Sequence, residues 1–349
     1  MGHEVHVVSD KPFQIEGAAS HPVKLYRKEQ AFVVRAFKQA LRTRQAIRVL
    51  RDIKPDIIHA HFIFAYGYWG MKSGIHPLVL SAWGSDIAWV RDGSVVGRLT
   101  KDVIGRADLV HTGDSGGRTR LIELGCPPEK IMVQPWGVDL RNFTRSARSD
   151  GLRREILGGG EGVIATMVAS LVPNWDVPTL VRSAPYVKAA RKDLKILVVG
   201  GGPEKERLES LASELGVGDV VRFTGAIPYE KMPEYLSSSD MYIDTVPVAK
   251  AGIGMGASVM EALGAGLPVV LARRPGIETA VQDCANGYIF KARDPKDLAE
   301  KILKLASEPD IMARFGKTSR ELALRIGDWD CNMKSFESAY MELVRRRKQ

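Results

Sequence analysis

Glu261 lies about one turn into an apolar segment, Ala257 to Ala265, that follows three alternating glycines, Gly252, Gly254 and Gly256. A carboxylate set among Val259, Met260, Ala262 and Leu263 needs a polar partner, because an unpaired charge is costly in apolar surroundings. The two hydroxyls of a ribose would be such a partner. Glycines ahead of a helix N-terminus leave backbone N–H groups open to a diphosphate, so Gly254, Met255, Gly256, Ala257 and Ser258 form the expected phosphate edge. The bland alternative, a Gly-rich turn with a solvated Glu, fits the apolar flanks poorly. Lys250, just ahead of the turn, is either a cation for the diphosphate or a solvated loop lysine.

A second turn, VVGGGPEKE, carries Gly200 and Gly202. It is not a dinucleotide fingerprint, because Lys205 stands where G-x-G-x-x-G needs its third glycine. Elsewhere, all seven histidines precede residue 112. His59 and His61 close the apolar run PDIIHAHF, and strand alternation puts them on one face. Ligand sites in open α/β sheets lie at strand C-terminal ends, which favours His61 as a site residue and leaves His59 as a satisfied core histidine. His3, His6 and His21 have no informative context.

The elements that must hold these residues alternate along the chain. Apolar β-rich runs (EVHVVS, PDIIHAHF, HPLVLSAW, DLVHTG, IMVQPW) are separated by helix-like segments at 28–53, 95–106 and 116–125. The series restarts at VIATMVAS and continues through LKILVVG, DVVRFTG, DMYIDTV, LPVVLA and GYIFKA. Such alternation predicts βαβ units and parallel sheets, and two series predict two Rossmann-like, doubly wound domains. The charged, Gly-rich stretch 141–162 separates them, giving an N-terminal domain over 1–148, a second over 149–328 and a closing helix over 329–349. The opening GHEVHVVS reads as the second strand of its domain, so a strand upstream of Met1 is expected.

In their order, these motifs resemble the retaining GT-B glycosyltransferases of family 4, also called group 1. MEALGAGLPVV resembles the family's "E-A-x-x-x-G-x-P-V" run, and the resemblance assigns the donor ribose to Glu261. LKILVVGGGPEKERL is similar to its "G-x-G-P" turn, with Gly200 and Gly202. VVRFTGAIPYEKMPEYLSSSDMYI is similar to its base-binding segment, which implicates Ile227. LIELGCPPEKIMVQPWGVDLRNF resembles the family's "P-x-G-V-D-x-x-x-F" link, and PGIETAVQDCANGYIF its later stretch. LVLSAWGSDI resembles "H-G-x-D": Gly84 and Asp86 match, and Trp83 replaces the histidine that contacts the donor sugar. Trp83 would stack on a sugar face or simply fill space; Asp86 would be an acceptor-site base or hold a loop. Two further departures concern charge. Ile253 replaces the first Glu of the family pair, and Ser170 and Trp175 stand where a phosphate-binding Arg and Lys belong. A departing diphosphate needs positive charge or dense hydrogen bonding.

The resemblance implies two facing domains with the ligand in the cleft, and a last helix that returns to the first domain. It implies transfer of a hexose from a nucleoside diphosphate sugar to a hydroxyl acceptor, glycan or lipid-linked, with retention and without metal or cofactor. The alternative is a non-catalytic GT-B protein that binds sugar nucleotides or partners an active transferase.

Composition narrows the partners. The chain has 349 residues with 45% hydrophobic and 26% charged, as ordinary globular domains do. No run approaches the roughly 20 apolar residues that span a bilayer. Three scattered cysteines, Cys126, Cys284 and Cys331, suggest a reducing, cytoplasmic compartment. The net charge of +9 favours anionic partners. Residues 24–51 are basic, with Arg35, Lys38 and Arg42 on one helical face, which suits either peripheral membrane contact or a helix solvated on one side. Nucleic acid is not expected, since aromatic interleaving and recognised modules are missing.

Overall fold

The computed structural model describes residues 2–10, 15–23, 32–247 and 256–348. Side chains over 32–39 are outside that description, so the expectation for Arg35 and Lys38 falls outside it, as do Lys250, Gly254 and Met255. The chain divides into two compact units, one of Met1–His111, Leu121–Met132 and Glu337–Gln349, the other of Thr112–Arg120 and Val133–Phe336.

The first unit opens with β1 (Val5–Ser9) and β2 (Ala18–Pro22), parallel to each other in a two-stranded sheet. Helix α1 (Phe32–Ile53) leads to β3 (Ile58–His61), a π-helical turn over Phe62–Tyr66, and α2 (Gly67–Ser73). Then follow β4 (Leu78–Ser81), α3 (Ser85–Ala88), α4 (Val95–Arg106), β5 (Leu109–Thr112), α5 (Ser115–Glu123) and β6 (Ile131–Val133). Strands β3 to β6 form one sheet in chain order, with β3, β4 and β5 parallel. Ile58, Ala60, Leu78, Leu80 and Val110 are buried in its core with Ile63, Ile87 and Val103. The sequence reading had no strand at 18–22; AASHP has little apolar alternation and pairs through its backbone with the more apolar β1.

The second unit carries a six-stranded sheet in the order β12-β11-β10-β7-β8-β9. These strands are β7 (Val163–Val168), β8 (Leu194–Val199), β9 (Val221–Gly225), β10 (Met241–Asp244), β11 (Val269–Ala272) and β12 (Gly287–Phe290). All paired neighbours are parallel. Strand alternation sorts side chains into two separate cores. Ala165, Met167, Ile196, Val198, Met241, Ile243, Val270 and Ala272 pack on one face; Ile164, Leu197, Val199, Tyr242, Val269 and Leu271 pack on the other. Burial on both faces explains why these strands read as continuous apolar runs.

Helices α6 (Asp150–Leu157), α7 (Val177–Ala190), α8 (Lys205–Glu214), α9 (Met232–Ser237) and α10 (Ala257–Gly264) connect the strands, and α11 (Pro295–Ala306) and α12 (Pro309–Ile326) follow them. Helix α6 lies inside the charged, Gly-rich stretch 141–162 that separates the two series. Ser149 caps it by accepting from Leu152 N, and Ile156 is buried against the second core. With only eight residues and one buried apolar position, its periodicity is too brief to read. The last helix, α13 (Trp329–Lys348), begins in the second unit, and its residues from Glu337 onward belong to the first.

Candidate functional site

Chemistry-bearing side chains gather at the C-terminal ends of the strands in each unit. In the first unit, β3 ends on His61 and β4 on Ser81, which are register partners. The alternation expected for the two histidines holds: the rings of His59 and His61 stack at 4.4 Å between centroids. His59 is more than a filler. Its Nδ1 lies 2.6 Å from Tyr340 Oη and its Nε2 2.7 Å from Ser81 Oγ, and Ser81 Oγ lies 2.9 Å from His111 Nδ1. A chain of four polar side chains thus runs from α13 through three strands. Burial, with His61 and His111 beside it, holds the His59 imidazole neutral by lowering its pKa to about 3. Burial also raises the Tyr340 hydroxyl to about 12.

His61 continues this stack outward, 5.7 Å from the Trp83 ring, and Trp83 stacks on Phe62 at 6.0 Å with 22° between planes. The His61 residue is open to solvent on one side, yet packing between His59 and Trp83 strips water from its ring and lowers its pKa. Phe62 and Trp83 are 38% and 46% exposed, so their faces remain available to a ligand. Asp86 fixes both. One of its oxygens accepts from Ile63 N and the other from Trp83 N, each at 2.9 Å. Phe62 needs such a hold, because its φ of 73° lies in the left-handed region that bulky residues avoid. Burial raises the Asp86 pKa, and the backbone N–H bonds oppose that rise. Of the two roles open to Asp86, its geometry matches that of a loop clamp. Sequence reasoning singled out Trp83 and Asp86 but missed Phe62, Ser81, His111 and Tyr340. Only the strand-end position of Ser81 and His111 carried a signal.

In the second unit, Ser170 follows β7, Gly200 and Gly202 follow β8, Ile227 follows β9, and α10 leads on from β10. A parallel sheet whose order reverses beside its first strand, here β7, offers a ligand crevice at those strand ends. Gly200 has φ 137°, and a Cβ there would stand 2.0 Å from Ala169 O. A Cβ on Gly202 would stand 2.5 Å from Leu171 O. The two glycines therefore let the β8 turn press on the loop after β7, where Leu171 N donates to Gly201 O. Ser170 is exposed on that loop, while Trp175 packs its ring against the core. Trp175, which stands where the family has a phosphate-binding cation, is half-buried there.

Helix α10 starts from Gly256, whose extended backbone offers no side-chain cap to the first turn. Ala257 is exposed and Ser258 half-buried, and Tyr242 donates its hydroxyl to Ser258 Oγ at 2.8 Å. Glu261 is 5% exposed, among Val259, Met260, Ala262 and Leu263 as expected. Its Oε1 accepts a hydrogen bond from Tyr229 Oη at 3.0 Å. Burial raises the Glu261 pKa, and that hydrogen bond lowers it. Near the ends of β10 and β11 sits a pair that the sequence did not advertise. Arg274 donates to Asp244 Oδ2 at 2.9 Å, with the side chains 2% and 3% exposed. It also donates to Val246 O, and Asp244 accepts from Val246 N, so the pair anchors the start of the segment after β10. Two surface clefts among the described residues, one lined by Arg51, Lys54 and Arg347 and one by Lys72, Lys101 and Arg106, involve none of these strand ends.

Residues 152–322 match the model of glycosyl transferases group 1, and residues 1–142 match that of glycosyltransferase family 4. The chain belongs to this family. It is a glycosyltransferase of the nucleotide-sugar class, as the motifs around Glu261 imply. Among curated relatives, the GDP-mannose-dependent alpha-(1-6)-phosphatidylinositol monomannoside mannosyltransferase of Mycolicibacterium smegmatis is 29% identical over 262 residues, 74% of this chain and 68% of the relative. The D-inositol 3-phosphate glycosyltransferase of Acidothermus cellulolyticus is 28% identical over 320 residues, 84% of this chain and 68% of the relative. Among solved structures, Anabaena HepE in complex with UDP superposes with a TM-score of 0.78 at 16% identity, over 98% of this chain and 100% of that one. Sucrose-phosphate synthase from Thermosynechococcus elongatus gives 0.80 at 17% identity, over 99% and 90%. This likeness establishes the glycosyltransferase fold as GT-B. Among the described residues, no helix is long and apolar enough to cross a membrane. The three cysteines are free thiols.

Proposed function

We propose that this glycosyltransferase moves a hexose from a nucleoside diphosphate sugar to a hydroxyl of a glycan or lipid-linked acceptor, with retention of anomeric configuration. The observation that carries the reading is Glu261: a carboxylate buried among apolar side chains at a parallel sheet's switch point, held by one phenolic hydroxyl. Such a group binds a ribose diol well, because its desolvation is already met by the fold and two hydroxyls complete its hydrogen bonding. Gly256, Ala257 and Ser258 open the first turn of α10 to the diphosphate, with Ser170 on the neighbouring loop, the turn at Gly200 and Gly202 beside it, and Ile227 against the base. Lys250 supplies the cation that Ser170 and Trp175 do not.

On the acceptor side, His61 and Trp83 meet the sugar or polyol, and Asp86 keeps Trp83 and Phe62 in place. The named relatives act on inositol-containing or phosphatidylinositol-containing acceptors, which favours a cyclic polyol on this aromatic surface. The basic segment 24–51 would meet the headgroups if that acceptor is lipid-linked.

A donor panel tests the proposal. Incubation with GDP-mannose, UDP-glucose and UDP-N-acetylglucosamine, with and without inositol phosphates and phosphatidylinositol, should release one nucleoside diphosphate faster when an acceptor is present. Proton NMR of the product should show the donor's anomeric configuration. Tight nucleotide binding with neither hydrolysis nor transfer would make the protein a non-catalytic binder instead.

A further inference from the structure

The Glu261 carboxylate has two oxygens, and the fold occupies one of them. Tyr229 stands just beyond Ile227, at the start of a 3-10 turn over Tyr229–Lys231 that follows β9. Its residue is 61% exposed, while its hydroxyl reaches inward to Glu261 Oε1 at 3.0 Å. The ring lies 6.1 Å from that of Phe143, which is buried in the same core. An exposed ring with an inward hydroxyl is not needed for packing. We propose that Tyr229 is a positioning residue of the donor site, whose hydroxyl engages one Glu261 oxygen so that the other is presented, ionised and correctly turned, to the ribose. This rests on the reading of Glu261 as the ribose acceptor.

The physical case has two parts. A glutamate has a free terminal torsion, and among the described residues the Glu261 carboxylate makes no other side-chain hydrogen bond; this one removes most of that freedom before ligand arrives. The bond also favours the charged form against burial, which pushes the other way. Other groups around the carboxylate do not replace it. Tyr242 on β10 gives its hydroxyl to Ser258, and Asp139 adds negative charge near Tyr229. Arg320 on α12 is spent on the carbonyls of Gly264, Phe143 and Leu140, at the far end of α10. Tyr235 on α9 packs against the same core.

Calorimetric titration of the full chain with GDP and UDP, and with their 2′,3′-dideoxy forms, decides the matter. The wild type should bind the ribose forms more tightly than the dideoxy forms. In Tyr229→Phe the ribose forms should weaken about tenfold, the usual effect of losing a hydrogen bond to a charged group, while the dideoxy forms stay unchanged. The weakening should be greater at pH 5.5 than at pH 8, because Glu261 without its donor protonates more readily. If the wild type does not discriminate between ribose and dideoxy forms, Glu261 is not the ribose acceptor. If the wild type discriminates and Tyr229→Phe discriminates equally well at both pH values, the role assigned to Tyr229 is wrong. Tyr229→Phe keeps the ring, so equal melting temperatures for the two proteins confirm that folding is not the cause.

Discussion

The two sets of strand ends are built from different chemistry. In the first unit they carry rings: His59, His61, Trp83 and Phe62 follow one another, the first and last pairs stacked and the middle pair tilted, and a chain of hydrogen-bonded side chains lies behind them. In the second they carry charge: Glu261 under Tyr229, and Asp244 against Arg274. Stacking accepts many ring-shaped ligands because it depends on faces and area, whereas a buried charge is tolerant of few partners.

The sharpest way to break the contrast is through the buried ion pair. Arg274→Ala leaves Asp244 charged and nearly sealed from water, which should cost about 3–5 kcal/mol of stability in the second unit. A smaller loss in Arg274→Met than in Arg274→Ala would show that packing carries part of the effect. Equal melting temperatures for wild type and Arg274→Ala would mean that the pair is not held in solution. Next in size is Glu261→Gln, which removes charge but little volume. Turnover per donor KM should fall about a hundredfold, equivalent to about 2.7 kcal/mol of lost transition-state stabilisation. An unchanged value would remove Glu261 from the site.

Asp86→Ala tests the ring side. Two backbone N–H groups lose their acceptor and Phe62 loses the hold on its left-handed backbone, at a combined cost of about 2 kcal/mol. Acceptor KM should rise while the donor's stays level, and the exposed indole of Trp83 should show a shifted, broadened fluorescence. If donor KM rises instead, the clamp reading fails. Asp86→Asn should recover only part of the function, because its amide nitrogen would face a backbone N–H that needs an acceptor.

How much of this was legible beforehand depends on what kind of signal each feature leaves. Of the twelve strands among the described residues most are readable as apolar runs, those of the second sheet because they are buried on both faces; β2, AASHP, is the exception, since its pairing is a backbone matter. Glu261 was readable because a charge among apolar neighbours is a local anomaly. Tyr229 was not, since its partner lies 32 residues away and an aromatic after a proline is unremarkable. The same holds for Tyr340 and His59, separated by 281 residues, and for Arg274 with Asp244. For Trp175 the motif gives a position without a direction, and its ring packs partly against the core. The expected phosphate edge at Lys250, Gly254 and Met255 lies outside the described residues.

The smallest effect concerns pH and isolates the buried His59 of the first unit. His59 in the folded protein has a pKa near 3, against about 6.5 for an unperturbed histidine. Between those values the unfolded chain binds a proton at His59 and the folded chain does not, so acid favours unfolding. The penalty is absent above about pH 6.5 and grows as pH falls towards 3, by about 1.4 kcal/mol per pH unit. Asp86 and Glu261 act in the opposite sense, because burial raises their pKa values and makes the folded state the better proton binder there. A comparison with His59→Asn isolates the histidine, since the carboxylates are common to both proteins. Amide exchange of Ala60 and Leu80, in β3 and β4, reports the first unit alone. Going from pH 7.5 to 5.5, protection there should fall by about 1.4 kcal/mol more in the wild type than in the variant. Equal falls would mean that His59 is already charged in the folded state, and the chain through Ser81 and His111 would then need a different arrangement of protons.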